Sequence, residues 1–181
     1  MTQILLYYGS STGNTEDAAE RIYQAFEGMH PGMLEMINIL DDPHLRELNR
    51  CDRLIFGIPT WYIGQLQADW EALLRRKRLQ QKNLHGKLVA LFGPGDQIAY
   101  PDTFLDAVGI VGNICRQGGA GLVGRWPIDG YQFRASLAYE NGCFIGLALD
   151  YENQPELTDT RIRIWTKQLG YEFGWASLPN Q

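Results

Sequence analysis

Ile4-Leu5-Leu6-Tyr7-Tyr8 runs straight into Gly9-Ser10-Ser11-Thr12-Gly13-Asn14-Thr15, and behind this loop Ala18, Ile22, Ala25 and Phe26 recur at helical spacing. A short apolar run, a small polar loop and an amphipathic stretch read as a buried strand feeding a helix that begins near Asn14. The loop offers hydroxyls at Ser10, Ser11, Thr12 and Thr15 beside the exposed N–H groups of a helix start, where the helix carries partial positive charge. Such a point binds phosphate, and glycines let the backbone come close to it. With no Lys or Arg in the loop, neutral dipoles alone would hold the anion. A Ser/Thr-rich turn capping a helix has a similar composition; the strand-loop-helix setting favours phosphate. The spacing is neither that of a Walker loop nor that of the dinucleotide GxGxxG.

Further apolar runs follow at Met33 to Ile37, Arg53 to Ile58, Leu88 to Phe92 and Leu122 to Gly124, with Phe144 to Leu149 sharing or continuing the last. Between them, helical spacing links Phe104, Val108 and Val111, and later Ile162, Trp165, Leu169 and Phe173, with Thr158 or Asp159 as a cap. Residues 66–78 read as a helix with Leu66, Trp70, Leu73 and Leu74 inward, and Asp41 to Asn49 as a short one. This alternation predicts an α/β fold, a parallel sheet with helices on both faces. Arg125 to Cys143 breaks the rhythm with Trp126, Pro127, Gly130, Tyr131, Phe133 and Tyr139. It reads as an excursion interrupting the fifth strand, because about twenty residues cannot build a core alone.

At 181 residues, 45% hydrophobic and 20% charged, the chain fits one domain spanning 1–181. No apolar run approaches the roughly 18 residues of a membrane span, and Met1-Thr2-Gln3 lacks a secretory start. The expectation is a soluble, cytoplasmic protein without membrane contact. Cys51, Cys115 and Cys143 have no metal or disulfide spacing and read as reduced thiols; no metal site is expected. His30, His44 and His85 are assigned no chemistry. A net charge of −5 argues against nucleic-acid binding. The charge is uneven, however: residues 71–90 hold one acid and six bases, a local +5, so the rest carries −10.

In open α/β sheets, ligands bind beyond the carboxyl ends of the strands, where strand order reverses. That rule nominates the first loop and two others, Pro59-Thr60-Trp61-Tyr62-Ile63-Gly64-Gln65 and Gly93-Pro94-Gly95-Asp96-Gln97-Ile98-Ala99-Tyr100. Each places an aromatic on a connection at the same edge. Two such aromatics beside a phosphate loop describe a slot for a phosphorylated planar heterocycle. Asp150 and Glu152 follow the last strand and could approach it, whereas Trp126, Trp165, Trp175 and Tyr131 read as packing residues.

Together these residues resemble the flavodoxins, in particular the long-chain group, over essentially the whole chain. The resemblance rests on Gly9 to Thr15, on Pro59-Thr60-Trp61 with Gly64, on Gly93-x-Gly95-Asp96-Gln97 with Tyr100, and on Gly146 to Asp150 with Asn153-Gln154. Arg125 to Cys143 matches the long-chain insertion. The resemblance implies a doubly wound five-stranded sheet of order 2-1-3-4-5 and a non-covalently bound FMN shuttling one electron between its semiquinone and hydroquinone states. Ser10, Ser11, Thr12, Gly13, Asn14 and Thr15 would take the phosphate. Trp61 would lie on the inner face of the flavin ring and Tyr100 on the outer, with Pro59, Thr60, Gly64, Gly93, Gly95, Asp96 and Gln97 around it and the peptide Tyr62-Ile63 facing N5. It implies an electron-transfer protein and not an enzyme, a monomer that takes electrons from a flavin- and NADPH-dependent reductase and passes them to redox enzymes.

Two features depart from the family pattern. Tyr62 stands where flavodoxins often carry Gly, Asn or Asp, so a reduction-linked peptide flip is expected to cost more here. Arg75 to Arg78 is an unusual basic run for a family that meets its reductases with an acidic face. It reads as a solvated helix end opposing the C-terminal partial charge, with an acidic docking patch on a different partner as the alternative. The rival function is an FMN-dependent quinone or nitro reductase of the same superfamily. Tyr100 over the open flavin face argues against that rival. Pro59-Thr60, where a receiver module needs an acceptor Asp, argues against a signalling domain.

Overall fold

A computed structural model describes residues 3–175. The first strand, β1 (Ile4–Tyr8), is buried along its whole length and lies at the centre of a parallel sheet. On one side it pairs with β2 (Leu34–Asn38) and on the other with β3 (Arg53–Gly57). β3 continues to β6 (Leu88–Pro94). The fifth position is shared by two short strands: β7 (Gly121–Val123) pairs with the first half of β6, and β11 (Leu147–Leu149) with the second. The order is therefore 2-1-3-4-5 with the fifth strand split. A run of five to seven residues buried on both faces needs helices on both sides. α1 (Asn14–Met29) and α4 (Thr158–Glu172) pack together on one face, where Trp165 meets Phe92. α2 (Ala68–Arg75) and α3 (Asp106–Gln117) cover the other, where Trp70 meets Phe56.

Two small antiparallel pieces sit at the sheet's edges. β4 (Thr60–Trp61) and β5 (Gln65–Leu66) form a hairpin directly after β3. β8 (Trp126–Pro127), β10 (Cys143–Phe144) and β9 (Tyr139–Glu140) form a three-stranded sheet in that order, inside the excursion between β7 and β11. Its Tyr131, Phe133 and Phe144 rings gather around Phe104, and the Arg161 guanidinium covers the Tyr131 ring at 4.2 Å.

Some local expectations differ. The helix expected over 66–78 ends at Arg75, because the Arg78 N–H bonds back to the Leu73 carbonyl at 3.1 Å and Lys77 turns left-handed at φ 54. Asp41 to Asn49 is mostly turn, with a single 3₁₀ turn at Glu47–Arg50. There the buried Asp42 carboxylate accepts the Glu47 N–H at 3.0 Å and the Tyr7 hydroxyl at 2.9 Å, which organises the chain in place of a helix ladder. Neither Thr158 nor Asp159 caps α4; Leu157 holds that position, and the Thr158 hydroxyl is buried without a hydrogen-bond partner. No helix among the described residues is long and apolar enough to cross a membrane.

Candidate functional site

A cleft of about 240 Å³ opens where strand order reverses, at the carboxyl ends of β1, β3 and β6. Its walls are Ser10, Ser11, Thr12, Asn14 and Thr15 from the first loop, and Pro59, Thr60, Trp61 and Tyr62 after β3. Pro94, Gly95, Asp96 and Tyr100 follow β6, and Tyr151 and Glu152 follow β11. Clefts that swallow most of a small ligand measure roughly 300–1,000 Å³. A phosphorylated aromatic ring system seated here would keep an edge in solvent.

The first loop is shaped for an anion. Gly13 is the residue before α1 and has φ 94; nothing caps that helix from a side chain, so its first-turn amides remain to be satisfied. The Gly13 N–H donates to Ser10 Oγ at 3.1 Å, and the Gln67 amide donates to Ser11 Oγ at 3.1 Å. A hydroxyl that accepts still has its own proton to give, so both serines are braced and remain donors. Gln67 also caps α2, which places a second helix N-terminus beside the same loop. The loop itself carries no cation, so an anion placed here would be met by neutral dipoles.

The second wall is the β4–β5 hairpin, with Trp61 opposite Gln65 and Tyr62-Ile63-Gly64 at its tip. Tyr62 holds φ 42, within the left-handed region that a side chain disfavours, and Gly64 φ 87. The Tyr62 ring is 58% exposed and lies edge-on between Trp61, at 5.8 Å, and Tyr100, at 6.4 Å. Thr60 Oγ1 accepts the Ala107 N–H at 3.3 Å, anchoring the hairpin to α3.

The third wall is held by side chains from far away. Asp96 Oδ1 accepts the N–H groups of Ile98 and Ala99 at 3.0 and 2.8 Å and the Asn153 amide at 2.9 Å. Burial pushes the Asp96 carboxyl up, but the bonds from Ala99, Asn153 and Ile98 together outweigh it and hold the group below its usual range. The carboxylate therefore stays charged at the cleft. Gln97, expected to face the ligand, is buried and its side chain points behind the cleft. It donates to Asp150 Oδ2 at 2.8 Å and accepts the Gln132 N–H of the excursion. Gly93 and Gly64 are likewise not cleft-lining. A Cβ on Gly93 would stand 2.1 Å from the Ile58 carbonyl oxygen, so its role is to let β6 pass its neighbour.

Tyr151 was not anticipated. It lines the cleft, and its hydroxyl donates to Asp17 Oδ2 at 2.7 Å; burial, and then this bond, push its phenol well above the usual range. The signal was available, since Tyr151 follows a strand at the edge that nominated the other loops. Of the acids beyond the last strand, Glu152 reaches the cleft and Asp150 lies beneath it as a hub for Gln97 and Asn153.

A doubly wound sheet with a phosphate-ready loop and aromatic walls at its switch point defines a class of nucleotide-binding α/β proteins. The family profile described as Flavodoxin matches residues 6–165. A flavodoxin of Synechococcus elongatus is 45% identical over 96% of this chain and 99% of its own length. One from Nostoc is 46% identical over 95% and 98%, and one from Haemophilus influenzae 42% over 98% and 99%. Among solved structures, a Fusobacterium nucleatum flavodoxin bound to flavin mononucleotide superposes with a TM-score of 0.84 at 32% identity, covering 95% of this chain and 99% of that one. The chain belongs to the flavodoxin family.

Proposed function

We propose that this chain binds one FMN non-covalently in the cleft and carries single electrons between a flavin- and NADPH-dependent reductase and downstream redox enzymes. It does so as a monomeric, single-domain cytoplasmic protein. The observation that carries this reading is the convergence of the uncapped, hydroxyl-rich start of α1 with Trp61, Tyr62 and Tyr100 on one opening. The donor set fits the cofactor: N–H and O–H groups of Ser10 to Thr15 for a phosphate, Trp61 and Tyr100 for the two faces of a flat ring. Bound FMN supplies reversible one-electron chemistry.

The residues do the rest. The first loop offsets the phosphate charge with dipoles and no cation, and Asp96 and Glu152 add negative charge at the walls. Extra electron density in the cleft is therefore disfavoured, which makes the carrier a strong reductant. No nucleophile or acid–base pair is needed, and the half-open cleft leaves an edge for transfer. The test is the absorbance spectrum of the native purified protein, followed by acid extraction and reloading of the stripped chain with FMN. Flavin bands and one-to-one reloading are expected. Failure to take up FMN, or rapid turnover of NADPH and quinone by the protein alone, overturns the reading.

A further inference from the structure

α2 ends in a group of cations, Arg75, Arg76, Lys77 and Arg78, that form no ion pair among the described residues. Lys77 takes the left-handed position that closes the helix, a place where glycine is the usual choice, so the turn carries a charge at a conformational cost. Lys82 Nζ donates to the Leu45 carbonyl at 2.7 Å. That bond pins the segment after α2 to the turn after β2 and brings His44 and Arg46 beside Arg76 and Arg78. The crowding registers on His44, whose imidazole is held below its usual range by the Arg78 guanidinium first, then by burial, Arg46 and Arg76, against Asp42.

Elsewhere several basic residues are engaged, and of those that form no ion pair among the described residues Arg163 and Lys167 stand apart on α4. Arg21, Arg50, Arg116, Arg125 and Arg134 are ion-paired, and Lys87 is buried on the Cys51 carbonyl at 2.7 Å. Among the described residues, Arg46, Arg75, Arg76, Lys77 and Arg78 make no ion pair, and Arg78 Nε is buried without a hydrogen-bond partner. Between this patch and the cleft runs a shallow groove lined by Leu40, Pro43, Ala72 and Arg76, with Asp69 at its near end. Leu40 is 61% exposed. Asp69 accepts from Gln67, whose amide also reaches Ser11 in the cleft wall. Cleft, apolar groove and cations thus form one strip along α2, whose eight residues span about 12 Å.

We propose that this strip seats an acidic face of a redox partner protein, whose carboxylates pair with Arg46, Arg76 and Arg78 while apolar side chains cover Leu40 and Pro43. The proposal rests on the electron-carrier reading. Outside residues 71–90 the chain carries −10, which repels an extended polyanion once it passes the patch; a compact acidic protein surface is held at the cations, with Asp41 and Asp69 the acids along the groove. The two-signed charge distribution also orients the approach, so a partner drawn to the patch arrives beside the cleft.

The experiment uses the FMN-loaded full chain, reduced and mixed by stopped flow with ferric cytochrome b5, a haem protein with an acidic rim. One electron passes from the reduced flavin to the haem iron, which goes from ferric to ferrous. The transfer rate is expected to fall with added salt. It should drop about tenfold at low salt in Arg76→Glu/Arg78→Glu, with the milder Arg76→Gln/Arg78→Gln in between. The control pair Arg163→Glu/Lys167→Glu on α4, with the same change in net charge, should have a much smaller effect. Transfer to basic cytochrome c should not slow. Retained flavin bands in each variant show that fold and cofactor are intact. Equal loss in the control pair, or no salt-dependent loss at Arg76 and Arg78, overturns the proposal. Binding of a 20-base-pair DNA duplex at physiological salt, lost in the same variant, overturns it in favour of nucleic acid. Failure of the parent chain to hold FMN abolishes transfer to both haem proteins alike, which marks the electron-carrier reading as the part that fails.

Discussion

Gly9 to Thr15 takes much of its shape from its own neighbourhood: the Gly13 N–H on Ser10 Oγ spans three residues, the strand before and helix after frame it, and Gln67 reaches it from afar, at Ser11. The opposite wall, Asp96 to Tyr100, is shaped by partners far along the chain. Gln97 reaches Asp150, 53 residues away, and the Gln132 N–H, 35 away, while Asn153 reaches back 57 residues to Asp96. The first-loop wall thus rests on β1, α1 and a distant brace from Gln67, whereas the Asp96 wall rests on β11 and the excursion. Loss of the long-range network should cost more, and cost it in global stability, than any change confined to the first loop.

The largest effect is expected from Asp150→Ala. It strands the buried Gln97 side-chain amide and the Gln97 N–H and should destabilise the protein by about 3 kcal/mol, read from urea unfolding. A loss below about 1 kcal/mol would mean that the ring-side wall does not depend on its network. Gly13→Ala is the matching change on the local side. With φ 94 and nothing within 4 Å of the added methyl, it tests backbone conformation alone and should cost about 1–2 kcal/mol. Much of that should appear as weaker FMN binding in a fluorescence titration. A variant that keeps full affinity would show that the loop adapts freely.

Tyr62 sits between the two walls, against Trp61 on one side and Tyr100 on the other. Tyr62→Gly removes the left-handed penalty and frees the Tyr62-Ile63 peptide to reorient on reduction. The spacing between the two one-electron potentials should change by up to about 60 mV, the first rising relative to the second, in a spectroscopic redox titration. Unchanged spacing would remove Tyr62 from control of the potentials. The smallest effect is a pH dependence. Because the folded Asp96 carboxyl lies below its usual range, its bonds stabilise the fold fully above the ordinary carboxylate value near pH 4. That stability is lost as pH falls through the depressed folded value. Asp96→Asn should flatten this acid limb by under about 1 kcal/mol, the group being partly exposed, as read from melting temperature against pH.

Much of this molecule is legible one segment at a time. β1, β3 and β6 are apolar runs because strands buried on both faces tolerate little else. The first loop, Trp61 and Tyr100, singled out by composition and by their place at strand ends, line one cleft. Errors fall where a distant group intervenes. Asp42, tied to Tyr7, turns an expected helix into turns; Lys77 closes α2 early; Gln97 is drawn off the cleft by Asp150; and Tyr151 is drawn to it by Asp17.

The sequence alone determined the alternation of strands and helices and the small polar loop that opens α1, because periodicity, turn composition and helix-start chemistry act over a few residues and need no partner elsewhere. The tertiary structure decided which residues line the cleft and which brace those that do. It also brought Arg46 to Arg76 and Arg78, since side-chain hydrogen bonds and charge clusters join segments that only the packed sheet brings together.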